Sequence, residues 1–176
     1  QSTSQMRRRL SGGIRPEWYF YNLSGQKFSF FPETSMLNMT PNCPTFDGRK
    51  WNKYLAEFVK NEIQSSGLWD GVFYDNVWQD VTWFTKDQAD SDRNGLPDEN
   101  LDEAWRAGYR FLLNETRRLV GPKFLITGNT GTGSKFYRDE LHGAMFEYFP
   151  QFGWPYAMSL YDFQSKGVGD RLLIVN

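Results

Sequence analysis

Apolar positions along this chain switch between two spacings, and the switch repeats. Residues 49–66, RKWNKYLAEFVKNEIQSS, set Trp51, Tyr54, Leu55, Phe58, Val59 and Ile63 at the three-to-four-residue spacing of an amphipathic helix. A second such stretch, LDEAWRAGYRFLLNETRRL at 101–119, stops at VGP, where glycine and proline end helices. Between and after them lie short runs with the β-branched and aromatic content of strands. These are a strand at about 70–77 within GLWDGVFYDNVW, then KFLITGN at 123–129, GAMFEYF at 143–149 and RLLIVN at 171–176. A weaker helix is expected near 155–165 and a short one near 134–141. Earlier, EWYFYN at 17–22 and KFSFF at 27–31 also read as strands, joined by the turn LSGQ. Residues 1–15 read as a flexible or extended lead-in.

Strands and helices alternating at this spacing predict βα units around a parallel sheet. The expected fold class is α/β, of the (β/α)8 TIM-barrel type, occupying residues 16–176. With 176 residues and five or six visible strands, the chain reads as part of such a barrel, since a full one usually needs about 200 residues or more. Further barrel elements, or another chain, are then expected to complete it, because an open sheet edge must be covered. A smaller doubly wound sheet is the competing fold.

Against that pattern one feature is anomalous. GLWDGVFYDNVW carries Asp70, Asp75 and Asn76 in what is otherwise a core strand, and a charge there is costly unless paired, hydrated or used. Several strands also finish in polar residues: Asp75 and Asn76, Asn129, Glu147, Asn176. The C-terminal strand ends are where α/β barrels and open α/β sheets bind ligands. Strand parity puts Phe73, Asp75 and Val77 on one face, and Val72, Tyr74 and Asn76 on the other. The same parity groups Leu125, Thr127 and Asn129, and pairs Met145 with Glu147. If those faces line the interior, Asp75, Asn129 and Glu147 converge at one rim.

Two carboxylates on neighbouring strands are what glycoside hydrolysis needs. One protonates the leaving oxygen, and the other attacks the anomeric carbon or activates water. The apolar neighbours of Glu147 suit it to the acid role, since they favour a proton-holding carboxyl. Asp75, at an open strand end, suits the ionised role. The alternative is structural, with Asp75 capping the next loop and Glu147 paired with an arginine.

Composition adds one positive signal and several exclusions. Aromatic residues make up 18% of the chain, with 7 Trp, 9 Tyr and 15 Phe, enough for a Trp-rich core or for sugar-stacking platforms. Net charge is −1, which leaves no electrostatic footprint for nucleic acid or an acidic membrane, and Arg7–Arg9 reads as a solvated tail. No apolar run approaches a membrane span. No secretory leader is visible, although one could already have been removed. The single cysteine, Cys43, excludes an intrachain disulfide, and with the lone His142 it disfavours Cys-His and histidine-metal catalysis. His142 lies before GAMFEYF, at the strand's other end, and reads as a surface residue.

Residues 90–100, DSDRNGLPDEN, match most of a calcium loop. Asp90, Asp92 and Asn94 fall at positions 1, 3 and 5, Gly95 at 6, the Leu96 carbonyl at 7 and Asp98 at 9. Position 12 is Leu101 where a glutamate is usual, so Glu99, Asp102 or water must substitute. A structural calcium ion pinning the long 79–99 loop is expected. The other reading is an Asp/Asn/Gly turn capping the helix at Leu101. TGNTGTGS at 127–134 follows a strand with glycines but lacks the GK[ST] of a phosphate loop, so it is weak evidence for nucleotide binding.

WDGVFYDNVW, the DSDRNGLPD loop, ITGNTG and GAMFEYFP, in this order and spacing, resemble a hypothetical family of TIM-barrel glycosyl hydrolases from bacterial and archaeal genomes. The DGVFYDN strand is also similar to that of polygalactosaminidase-type barrels. The likeness covers roughly residues 16–176. It implies a (β/α)8 fold, Asp75 and Glu147 as catalytic residues, and Asn129 near the sugar. The reading that follows is a glycoside hydrolase acting on a poly- or oligosaccharide, outside the cell or at its surface. Its candidate sugar contacts are Asp70, Tyr74, Asn76, Trp78, Trp83, Asn129 and Trp154. The rival is a non-catalytic carbohydrate-binding or structural protein on a degenerate barrel, its loop held by calcium.

Overall fold

The computed structural model describes residues 3–131, 133–167 and 169–176. The chain divides into two compact units, Gln1–Phe58 with Asp80–Leu112 and Val59–Gln79 with Leu113–Asn176.

The first unit is built on aromatic packing. Trp18 is buried against Trp51 and Tyr54, with ring centroids 6.3 and 5.2 Å apart, and Phe20 packs on Phe28 and Trp105 at 5.0 and 5.7 Å. Helix α1 (Thr3–Gly12) occupies most of the stretch expected as a flexible lead-in. The expected strands at 17–22 and 27–31 are instead a 3-10 turn at Pro16–Trp18 and isolated antiparallel bridges, Tyr19 to Leu37, Tyr21 to Lys27 and Asn22 to Ala89. Short extended segments that each find a different partner give bridges, not a ladder. Helix α2 (Trp51–Phe58) carries the first part of the predicted apolar stripe, Trp51, Tyr54, Leu55 and Phe58.

The long loop after residue 79 holds a single helical turn, α3 (Thr82–Thr85), and a 3-10 turn at Lys86–Gln88. Asp102 pins this turn, accepting hydrogen bonds from the Val81 and Thr82 amides at 2.7 and 2.8 Å. Burial pushes the Asp102 carboxyl up, but hydrogen bonds from Thr82 and Val81 and the charge of Arg106 outweigh it and hold it below its ordinary range. Helix α4 (Leu101–Val120) has Asp102 and Glu103 in its first turn and Arg117 and Arg118 in its last, matching its dipole at both ends. No helix among the described residues is long and apolar enough to cross a membrane.

The second unit contains the sheet. Strands β1 (Gly71–Tyr74), β2 (Leu125–Asn129), β3 (Gly143–Phe146) and β4 (Leu172–Val175) pair in that order, all parallel. The register aligns Phe73 with Thr127, Thr127 with Gly143 and Gly143 with Leu172. Before β1 the chain runs through a π turn (Val59–Ile63) and a 3-10 turn (Gln64–Ser66). It stops at Gly67, whose left-handed backbone (φ 65°) returns its N–H to the Gln64 carbonyl. Gln64 also donates to the Val120 carbonyl at 2.5 Å, capping the end of α4.

Helix α5 (Trp154–Ser165) connects β3 to β4. No helix forms near 134–141. That segment is a series of turns held from α5 by Gln164, whose buried amide donates to the Ser134 and Phe136 carbonyls at 2.8 and 2.9 Å. One sheet face is core: Tyr74, Ile126, Ala144 and Phe146 are buried, and Ala144 and Phe146 cluster with Leu160 of α5. The other face leaves Phe73 (45%), Leu125 (40%), Leu172 (48%) and Ile174 (39%) exposed. The observed class is therefore α/β with a four-stranded parallel sheet.

Candidate active site

The C-terminal rim of the sheet gathers the polar residues. Asp75 follows β1 directly, Asn129 ends β2 and Glu147 follows β3. Because Tyr74 is in register with Gly128, and Asn129 with Met145, Asp75, Asn129 and Met145 form one row. Glu147 stands two residues beyond that row.

Hydrogen bonds tie the three together. Asn129 Nδ2 donates to Asp75 Oδ1 at 3.0 Å, and the Asn76 amide donates to the same oxygen at 2.9 Å. Asn129 Oδ1 accepts the Gly131 amide at 2.9 Å. The Gly131 carbonyl in turn accepts the Glu147 amide at 2.7 Å. Asn129 is buried and spends its amide on protein partners, so it positions Asp75 and the 129–131 turn. Asp75 is exposed and Glu147 half-buried. Among the described residues the Glu147 carboxylate has no hydrogen-bond or ion-pair partner, so the expected alternative, pairing with an arginine, is not seen. Each carboxylate is followed by a non-glycine residue in the left-handed region, Asn76 at φ 56° and Tyr148 at φ 54°. Backbone strain of this kind concentrates at functional sites.

Aromatic rings stand exposed in the segment after β3. Tyr148 (73%), Phe152 (65%) and Trp154 (63%) are the most open, and Phe149 packs edge-on against Trp154 at 5.5 Å. Trp78 is half-buried and its carbonyl accepts the Tyr137 hydroxyl at 3.1 Å.

Two sequence candidates do not belong to the rim. Tyr74 lies on the core face, buried, and shares a 2.7 Å hydrogen bond with Thr116 of α4. Burial drives its phenol well above the ordinary value. Asp70 precedes β1, and its carbonyl accepts the Leu125 amide, so it sits at the opposite strand end from Asp75. A four-residue strand spans about 13 Å, too far for one site. Trp83 is exposed but belongs to the first unit, where it packs edge-on against Phe30 at 5.7 Å.

His142 is at the N-terminal end of β3, as expected, but it is a structural clip, not a free surface residue. Its Nδ1 accepts the Ile126 amide at 3.0 Å, and Nε2 lies 2.9 Å from Arg117 Nη1. Burial, then the charges of Arg117 and Arg171, lower its pKa below the ordinary 6.5. A proton on Nδ1 would also set donor against donor at Ile126. Since the folded value is the lower one, this group stabilises the fold above about pH 6.5, and that contribution is lost as pH falls through the folded value. Urea midpoints at pH 7.5 and 5.5 should drop more for the wild type than for His142→Gln; equal drops would contradict this.

The Asp90–Asp98 loop, in the first unit, is closed by its own donors. Asp90 accepts from the Asn94 and Gly95 amides at 2.9 and 3.0 Å, Asp92 from the Asn94 amide at 3.1 Å, and Asp98 from the Ser91 amide at 2.8 Å. Leu96 is exposed, its amide bonded to Asn94 Oδ1 at 2.7 Å. Burial raises the Asp98 carboxyl above its ordinary value, Ser91 opposes this, and Asp92 and Asp90 add to it. Among the described residues no three acidic, histidine or cysteine side chains converge as a metal site. The Gly-rich turn includes Thr132, which lies outside the described residues.

Sequence reasoning missed the Gln164 and His142 clips and the double role of Asn129. Only Asn129 carried a signal, as an amide ending an apolar strand beside one that ends in aspartate.

No curated protein matches the chain. The model of one family, described as hypothetical glycosyl hydrolase family 15, matches residues 6–166. With most of its length matched, the chain belongs to hypothetical glycosyl hydrolase family 15.

Proposed function

We propose that this chain carries a glycoside hydrolase site in which Asp75 and Glu147 are the reacting carboxyls and the substrate is a poly- or oligosaccharide. Glu147 gives its proton to the glycosidic oxygen as the bond to the anomeric carbon breaks. Asp75 attacks that carbon, or takes a proton from the water that does. The observation that carries the reading is the hydrogen-bonded chain Asp75–Asn129–Gly131–Glu147 across three adjacent strand ends. It fixes both carboxyl-bearing segments to one frame and leaves Asp75 Oδ2 and the Glu147 carboxylate open. Asn76 lies within this frame, and Trp78 and Trp154 are the proposed sugar platforms.

The sequential parallel order β1-β2-β3-β4 supports a barrel-type fold over residues 16–176, since doubly wound sheets reverse direction at a switch point. Parallel sheets are normally covered on both faces. The exposed Phe73, Leu125, Leu172 and Ile174 therefore support further strands or a second chain over that face. An extracellular or surface location, suited to a polymeric sugar, is part of the same proposal.

The test is reducing-sugar release from a panel of polysaccharides by the wild type, Asp75→Asn and Glu147→Gln. The reading expects release by the wild type and a loss of about 10²–10⁴-fold in each variant. Glycan binding without turnover, unchanged in both variants, would favour a carbohydrate-binding protein instead. Calcium in the 90–98 loop is a separate proposal that rests on residue spacing. Melting in 1 mM calcium should exceed melting in EGTA by several degrees, as for any ligand bound only to the folded state. No shift would leave the loop held by its own hydrogen bonds.

A further inference from the structure

The first unit holds a cleft of about 490 Å³ that the carboxylate site does not use, within the usual size of small-molecule pockets. One wall is the Ala107–Phe111 face of α4 and the other is the first turn of α2 with the 41–48 loop. Its lining is mainly apolar, with no carboxylate, and two lysines stand on it. Lys50 Nζ is committed in part to the Pro41 carbonyl. Lys53 is half-buried, and among the described residues its ammonium has no ion-pair or hydrogen-bond partner.

Of the two neutral polar side chains on the cleft, Thr45 and Asn52, the Asn52 amide is already satisfied. The Asn52 amide donates to the Met39 and Gly108 carbonyls at 3.4 and 3.5 Å, and its oxygen accepts the Lys53 amide at 2.9 Å. A polyol would therefore find few partners there. Lys53 brings a positive charge without a protein counterion to a mainly apolar cleft, and an anion would complement it. The first turn of α2 adds the positive end of a helix dipole. A phosphate group is a poorer fit, since such sites draw on arginine forks or free helix amides. Here the wall from Ala107 to Phe111 is mid-helix, and the Lys53 amide is spent on Asn52.

We propose that this cleft binds a small amphipathic monoanion, its carboxylate on Lys53 and its flat apolar body along Ala107 and Phe111. The inference is independent of the glycosidase reading. Its test is calorimetric titration of the full chain with 2-naphthoate and, separately, with 2-naphthalenemethanol, which has the same rings and no charge. The wild type should bind naphthoate at one site with a Kd below about 1 mM. The alcohol should bind about 10-fold more weakly. Lys53→Met, which keeps the stem and removes the charge, should weaken naphthoate by the same factor and leave the alcohol unchanged. Ala107→Trp, at an exposed position, should abolish both while melting like the wild type. Absence of saturable naphthoate binding, or binding indifferent to Lys53→Met, would overturn the proposal.

Discussion

Gly143→Ala is expected to cost about 3 kcal/mol and lower the melting temperature by about 6–12 °C. Gly143 opens β3 and is in register with Leu172 of β4. A Cβ there would stand 1.8 Å from the Leu172 carbonyl oxygen and 2.7 Å from its carbon. The obstacle is backbone of a paired strand, so no rotamer change relieves it, and β3 or β4 must move. The same strand carries Glu147 at its far end, so any residual folded protein should also lose activity. Gly12→Ala is the control: a Cβ at Gly12 meets nothing within 4 Å, and its melting temperature should stay within a degree or two of wild type. Equal melting of Gly143→Ala and wild type, by calorimetry, would show that the β3–β4 pairing described here is wrong.

Glu147→Gln is expected to lose about 10²–10⁴-fold in kcat/KM on an oligosaccharide, yet less than about 10-fold on a 4-nitrophenyl glycoside of the same sugar. The asymmetry follows from what the residue is asked to do. A sugar alkoxide leaves only if its oxygen is protonated as the bond breaks, whereas nitrophenolate leaves without help. Glutamine keeps the size and much of the polarity of glutamate but holds no transferable proton. The backbone tie from Glu147 N–H to Gly131 does not depend on the side chain, so the local frame should survive the change. Comparable losses on both substrates would remove the acid role and leave Glu147 a binding or structural residue.

Much of the second unit was legible because its signals are local. Gly67 and VGP punctuate helices, and short β-branched runs fix β1, β2, β3 and β4 to within a few residues. Parity groups Asp75 with Phe73 and Asn129 with Thr127, and the register sets Phe73 beside Thr127. What stayed hidden depends on distant partners. Residues 17–31 have strand composition, but their pairing is decided by Leu37, Lys27 and Ala89 one bridge at a time. The 134–141 segment looked helical, yet buried Gln164 captures its carbonyls and Tyr137 adopts φ 62°. Tyr74 looked like a platform because an aromatic beside a carboxylate fits a sugar site. Its alternation onto the face of Ile126 instead commits it to the core, with Thr116 as the hydroxyl partner. Asp70 precedes β1, which begins at Gly71, and so stands at the strand end away from Asp75.

The most direct test of the central claim is a crystal structure of Glu147→Gln with an oligosaccharide that the wild type cleaves. A sugar ring is expected at the rim formed by residues 75, 129 and 147, with its anomeric carbon about 3–3.5 Å from an Asp75 carboxylate oxygen or from a water held by it. The carboxyl of residue 75 and the amide of residue 147 should flank the scissile bond, about 5–5.5 Å apart for a retaining enzyme or about 6.5–9.5 Å for an inverting one. A sugar bound elsewhere, with Asp75 in contact only with Asn129 and Asn76, would make Asp75 a structural carboxylate and remove the proposed catalytic pair.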